Sequence, residues 1–378
     1  MEHRFRHLLL IQAVLATAGS SAGTFGIVYL AKDGVAPGEG FPAQIAPLFY
    51  LFGFLFASVF CVVMSLRRSV SSKRSMALGL LSLSLTYGCF AVFHGLVLIT
   101  VVPILYGMSI AQFWLPFNAL IIRKTTLSNR GARMGLSFLV FTITGVAAPA
   151  LAGMVVSIFG YSVLFSIGMG LLLMDIVLVF LLIDGKDRMT FDIRFRDFGA
   201  RNSMAMFLEG SYEGLSVSLI PLITLLFVTA ERDLGLIFSV FALAGGAMSL
   251  ALGFMSDRIS HRNLFMWSGA VASGVFALMV ALSSNLGAFV AGNSLLQLTG
   301  SVAPMFIFAM VADAREDDPA TVSATREALL NAGRAFSISI YAVIAVAGVG
   351  LQTAFIATSV YLVLMLVGKS SNHNKAQG

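Results

Sequence analysis

The sequence predicts an all-helical integral membrane protein of twelve spans, and three observations carry that prediction. Of its 378 residues, 58% are hydrophobic and only 11% are charged. A soluble domain carries about 25% charged residues, so most of this surface does not face water, and the mean hydropathy of +0.92 agrees. Apolar segments of about 20 residues, the length that crosses a bilayer, recur along the whole chain. The cations fall on alternate connections between those segments.

In order, the segments run over 8–30, 43–66, 76–93, 96–122, 133–157, 161–183, 204–228, 234–255, 264–283, 286–311, 325–348 and 350–368. Residues 1–7 form a short basic tail with Arg4 and Arg6. The apolar run behind it is longer than a signal-peptide core and shows no clear cleavage site, so it reads as an uncleaved first helix. The third and fourth segments are divided only by His94-Gly95. Cys61 and Cys89 both lie inside apolar runs, as small hydrophobes rather than a disulfide or metal framework. Pro149, Pro221 and Pro304 fall within spans, where bends are tolerated.

The longest polar connection, 184–203, separates six spans from six. It predicts a first bundle over 1–183, a linker over 184–203 and a second bundle over 204–378. Twelve spans put both termini on one side, and that side carries 21 of the 24 lysines and arginines; Lys32 and Arg232 lie on the other side and Arg334 inside a span. The positive-inside rule then makes both termini cytoplasmic, in the cell membrane. The net charge of +6 follows this topology. The cations are not interleaved with aromatics as nucleic-acid binding requires, so no nucleic-acid partner is expected; the lipid bilayer is.

Within this pattern 206–214 stands out, because Glu209 and Glu213 lie four residues apart in an apolar run. On a helix both carboxylates share a face, and an acid inside a membrane helix is a functional-site hypothesis by default. Glu213 lies roughly 15 Å deep at about 1.5 Å per residue. Such a group can take a proton on one side and release it on the other, the minimal chemistry of proton coupling. The alternative is a neutral glutamate hydrogen-bonded to a neighbouring helix.

Loop 256–263 and its flank read Gly253-Phe254-Met255-Ser256-Asp257-Arg258-Ile259-Ser260-His261-Arg262. This resembles the G-x-x-x-D-R-x-[GS]-x-R signature of the major facilitator superfamily, between the two spans where the family carries its second copy. At the position of the first copy the basic residues Arg67, Arg68, Lys73 and Arg74 are present, but Leu66 replaces the acid. The fifth span, with Gly135, Gly145, Pro149 and Gly153, is similar to the family's glycine-proline helix; small residues at its other glycine places (Thr144, Ala148, Ala152) keep close packing open. Residues 326–334 are like a stretch opening the eleventh span of many bacterial members.

The resemblance implies two pseudo-symmetric six-helix bundles with a site between them near the midplane, working as a monomer without a cofactor. It also implies that the first, fourth, seventh and tenth spans line the cavity, which nominates Gln112, Trp114, Asn118, Glu209, Tyr212, Glu213, Asn293 and Gln297. Asp257 would cap the start of the fifth span near Arg133 as a gating latch together with Gly253, Arg258 and Arg262. Arg334 falls outside the implied lining set, so a multiply anionic solute is disfavoured. Aromatics such as Tyr212 and Trp114 suit a neutral or cationic, partly apolar solute, which leans toward proton-driven export. Proton-coupled or facilitated uptake, and a non-transporting receptor or scaffold, are the other readings. No nucleotide loop, metal cluster or nucleophile–base pair is found, so no enzyme or metal centre is expected.

Overall fold

The apolar runs become helices because a bilayer core offers no partner for backbone N–H and C=O groups, which must bond within the segment. The computed structural model describes residues 2–360 apart from 68, 126–129, 256–261, 303, 305, 306, 309, 310, 313, 314, 316, 348, 349 and 357, and leaves out the side chains of 2–4, 130–132, 134, 135, 138, 249, 250, 252–255 and 262–267. The helices are α1 (Glu2–Ala18), α2 (Thr24–Asp33), α3 (Leu48–Ser65), α4 (Ser72–Val92), α5 (Val97–Thr100), α6 (Val102–Arg123), α7 (Arg130–Phe159), α8 (Tyr161–Leu182), α9 (Phe195–Phe227), α10 (Glu231–Met255), α11 (Arg262–Ala281), α12 (Leu286–Gly300) and α13 (Pro319–Val346). Among the described residues eight helical stretches are long and apolar enough to cross a membrane.

Local chemistry sets the breaks. A π-helical turn, Gly19–Gly23, joins α1 to α2, so the first span widens in its middle. His94-Gly95 does divide α4 from the next span, with Gly95 at φ +82°. Helix α9 starts at Phe195, inside the expected linker, and breaks at Gly199, whose φ is +70°.

The 184–203 connection is pinned rather than free. Its strand β2 (Arg188–Met189) pairs antiparallel with β1 (Val70–Ser71), in the register Val70↔Met189 and Ser71↔Arg188. Arg188 Nε donates to Ser69 Oγ, Arg123 pairs with Asp187 at 3.4 Å, and Arg315 pairs with Asp197 at 2.6 Å. We call this the basic end of the molecule. Here Asn118 and Ser323 also link α6 to α13. At the opposite end Lys32 of α2 is bonded to Glu231 of α10, and the Tyr341 hydroxyl of α13 donates to the Ala43 carbonyl at 3.0 Å. The first and second halves of the chain are thus tied at both ends.

Of the helix pairs whose backbones approach closely, two shape the site. Helix α7 packs along α10, with Gly145 against Ala242, Gly153 against the Glu231 carbonyl and Gly246 against Thr142. Helix α9 lies on α13, with Gly210 against Leu330, Gly214 against Arg334 and Gly333 against the Phe207 carbonyl. A Cβ at Gly333 would overlap that carbonyl, and backbone cannot step aside. Gly333→Val is therefore expected to destabilise the protein by about 1–3 kcal/mol in thermal unfolding in detergent. Gly170→Ala, whose added Cβ would meet nothing within 4 Å, should leave the melting temperature unchanged.

Candidate functional site

A cavity of about 640 Å³ opens between the halves. The π-helical turn brings Ser20 to its wall, α2 brings Thr24, α6 brings Tyr106 and Trp114, α7 brings Thr142, α10 brings Phe238 and Phe241, and α9 brings Tyr212 and Glu213. Of the predicted residues, Glu213, Tyr212, Trp114 and Gln297 line it.

The other four do not. Gln112 is buried, its side chain and carbonyl both accepting from Ser75 Oγ at 2.7 Å. Asn118 donates to Glu327 Oε1 at 3.0 Å. Asn293 is fully buried and its amide has no partner among the described residues. Glu209 is fully buried against Arg326 Nη2 at 2.5 Å. Gln112, Asn118 and Glu209 have each turned toward a neighbouring helix, as polar groups in membrane helices commonly do.

The cavity wall differs from expectation at one decisive place. Arg334 lines it, because the glycine contacts draw α13 against α9. Its Nη2 and Nε lie 2.5 and 3.0 Å from Glu213 Oε2. Its Nη1 donates to Asn331 Oδ1 at 2.8 Å and approaches Glu327 Oε2 at 3.9 Å, and its guanidinium sits over the Phe54 ring at 5.4 Å. Arg326 adds a contact to Glu327 at 3.5 Å. Three carboxylates thus share two guanidiniums. The pairs offset the cost of burying charge, which isolated ions in this setting could not bear. The expectation that Arg334 stands outside the cavity lining is thus corrected, and the wall carries a cation. Part of the signal was in the sequence, since an arginine inside an apolar span needs an acid, but the sequence did not state which span supplies it.

The gating residues divide. Asp257 and Arg258 lie outside the described residues, and Gly253 and Arg262 are placed only as helix backbone in α10 and α11. Arg133 donates to the Lys124 carbonyl and stacks over Phe5 at 5.1 Å. Gly145, Pro149 and Gly153 line the α7–α10 contact, where the Pro149 carbonyl faces Gly235; Gly135 lies in α7.

The tie at the opposite end has its own electrostatics. Glu231 opens α10 ahead of its apolar run. Burial works to raise its pKa, but hydrogen bonds from Lys32 and Tyr161 outweigh that and hold the carboxyl below its ordinary range. The tie is thus favoured above the ordinary glutamate range and lost as pH falls through the lowered value. Lys32→Ala and Glu231→Gln are expected to raise the rate at which a maleimide reaches Ser216→Cys from that end several-fold, in a cysteine-free background. Equal rates would mean the tie does not gate.

Comparison with known proteins accords with this architecture. The sequence model of the Major Facilitator Superfamily matches residues 8–197 and 203–370. The protein YqgE of Bacillus subtilis (strain 168) is 27% identical over 255 residues, which is 61% of this chain and 58% of that one. Crystal structures with the same fold include the human organic anion transporter MFSD10 (TETRAN), with 15% identity, TM-score 0.67 and coverage of 97% of this chain and 99% of that chain. FucP in the outward conformation has 12% identity, TM-score 0.68 and coverage of 96% and 97%. A variant of the E. coli fucose:proton symporter FucP has 12% identity, TM-score 0.67 and coverage of 96% and 97%.

Proposed function

The chain belongs to the major facilitator superfamily, and from that premise we propose that it is a proton-coupled secondary transporter, moving one small organic solute by alternating access. The observation that carries the reading is the Glu213–Arg334 pair on the cavity wall. Glu213 is the exposed member of the acidic group, with 34% of its side chain accessible against 0% for Glu209 and 5% for Glu327. It can therefore exchange a proton with cavity water while Arg334 reports its charge to α13. The ties at the two ends supply the contacts that alternating access would break in turn, with α7 and α10 as the long surface on which the halves rock.

The basic end faces the cytoplasm on the positive-inside argument, in the cell membrane, and the protein works as a monomer of two six-helix units joined by 184–203. The lean toward export drew on aromatic surface suited to a neutral or cationic solute, and a guanidinium on the wall does not favour such a solute. With Arg334 on the wall that support is gone, and we assign uptake, driven by the inward proton gradient.

The test is accumulation in proteoliposomes under an imposed pH gradient, screened over a metabolite mixture. At least one solute should concentrate, and a protonophore should abolish the concentration. Accumulation indifferent to both gradient and protonophore would remove proton coupling; an absence of any uptake or exchange would remove transport.

A further inference from the structure

We propose that the solute is an organic monoanion with an apolar body, and that its carboxylate replaces Glu213 on Arg334 when Glu213 takes up a proton. This rests on the transporter reading above and names the substrate class of the same site.

The two members of the pair are held differently. Arg334 is anchored on three sides, by Asn331 at 2.8 Å, by Glu327 at 3.9 Å and by the ring of Phe54. Glu213 has no hydrogen bond or ion-pair partner but Arg334 among the described residues, and its side chain is one-third accessible. The Nε and Nη2 edge of Arg334 is thus a two-point carboxylate binder occupied by a side chain that can leave. Arg334 cannot lose its proton to admit a cation, whereas Glu213 can gain one to admit an anion. A cationic solute would have to settle beside a fixed guanidinium and add uncompensated charge to a buried group.

The swap balances. One proton binds the Glu213 carboxylate, its two N–H···O bonds to Arg334 are released, and the same N–H groups bond the incoming carboxylate. The proton and the anion cancel, so the site's net charge is unchanged and one proton travels with each anion. Among the described lining residues Arg334 is the only cation and Glu213 the only acid, which accommodates a single anionic group. Phe54, Tyr106, Trp114, Phe141, Phe238 and Phe241 surround the remaining space, and its volume lies within the roughly 300–1,000 Å³ of small-molecule sites. The other ionisable groups near Glu213 are Glu209 and Tyr212 on its own helix, Arg326, Glu327 and Arg334 on α13, Tyr106 on α6 and Cys61 on α3.

The test uses the purified full-length protein and a panel of aryl and alkyl monocarboxylates, each matched with the amine and the alcohol of the same skeleton. Binding is read by thermal stabilisation and affinity at several pH values. Carboxylates should bind, and their affinity should rise about tenfold per unit of pH lowered while Glu213 is ionised, the slope for one linked proton. Glu213→Gln should bind them with that slope abolished, and Arg334→Lys, which keeps the charge and loses the two-point edge, should bind at least tenfold more weakly. Binding by the amines or alcohols alone, carboxylate affinity with no pH slope in the wild type, or silence from the whole panel each overturns the proposal. Carboxylates that bind but never cross vesicles would instead overturn the transporter reading, and amines that are transported would leave that reading standing without this substrate class.

Discussion

Replacing Arg334 with alanine is expected to cost the folded protein about 3–5 kcal/mol. The guanidinium serves Glu213, Glu327 and Asn331 together, and truncation strips all three at once. Glu327 suffers most. It is 5% accessible, cannot reach cavity water as Glu213 can, and keeps only Arg326 and Asn118. A buried charge left with poorer compensation dominates the loss of any contact energy. Two further variants separate this account from simple loss of packing. Arg334→Met retains most of the apolar stem over Phe54 and should be almost as destabilised as the alanine variant, because charge rather than volume is missing. Adding Glu213→Gln to Arg334→Ala should recover stability, with a coupling of about 0.5–3 kcal/mol. Strict additivity in denaturant-induced unfolding in detergent would mean that the pair does not act as a unit.

Arg334 also marks where the sequence stopped being sufficient. The fold was legible because it follows from composition and spacing. Apolar runs of span length, the break at His94-Gly95 and the small residues of α7 each act through local chemistry or through one neighbour. The acids of α9 were legible for the same reason, since a carboxylate in an apolar helix announces its own cost. The partner was not, because which helix faces α9 depends on Gly210, Gly214 and Gly333 meeting across two helices about 120 residues apart in the chain. Nothing in either segment alone states that they meet. The spacing of Glu327 and Arg334, seven residues apart on one face, and of Glu209 and Glu213, four apart on another, held complementary charge patterns, but pairing them needed the third dimension. The same holds for Gln112 and Asn118. Both lie on the helix expected to line the cavity, yet each spends its hydrogen bonds on a neighbouring helix, so belonging to a lining helix does not decide belonging to the lining.

The second large effect is expected from Glu213→Gln, and it should divide transport into its parts. Glutamine keeps the length and an acceptor oxygen for Arg334, so the fold and the closure of α9 on α13 should survive, with a melting temperature near that of the wild type. It cannot carry charge or exchange a proton. Gradient-driven accumulation should therefore fall to the level of protein-free vesicles, while exchange of solute across the membrane at equal pH, which needs no net proton movement, should persist within a few-fold. The pH dependence of that exchange should flatten. Three results would read differently. Loss of exchange together with accumulation, in a protein that still binds solute, would make Glu213 necessary for the conformational change itself. Loss of binding would make it a ligand rather than the proton carrier. Accumulation equal to the wild type would move the coupling proton to the more buried Glu209 or Glu327, where Glu209→Gln and Glu327→Gln would then have to show the deficit. The distinction rests on accessibility: of the three carboxylates only Glu213 reaches the cavity, so only there can proton uptake and solute arrival be one event.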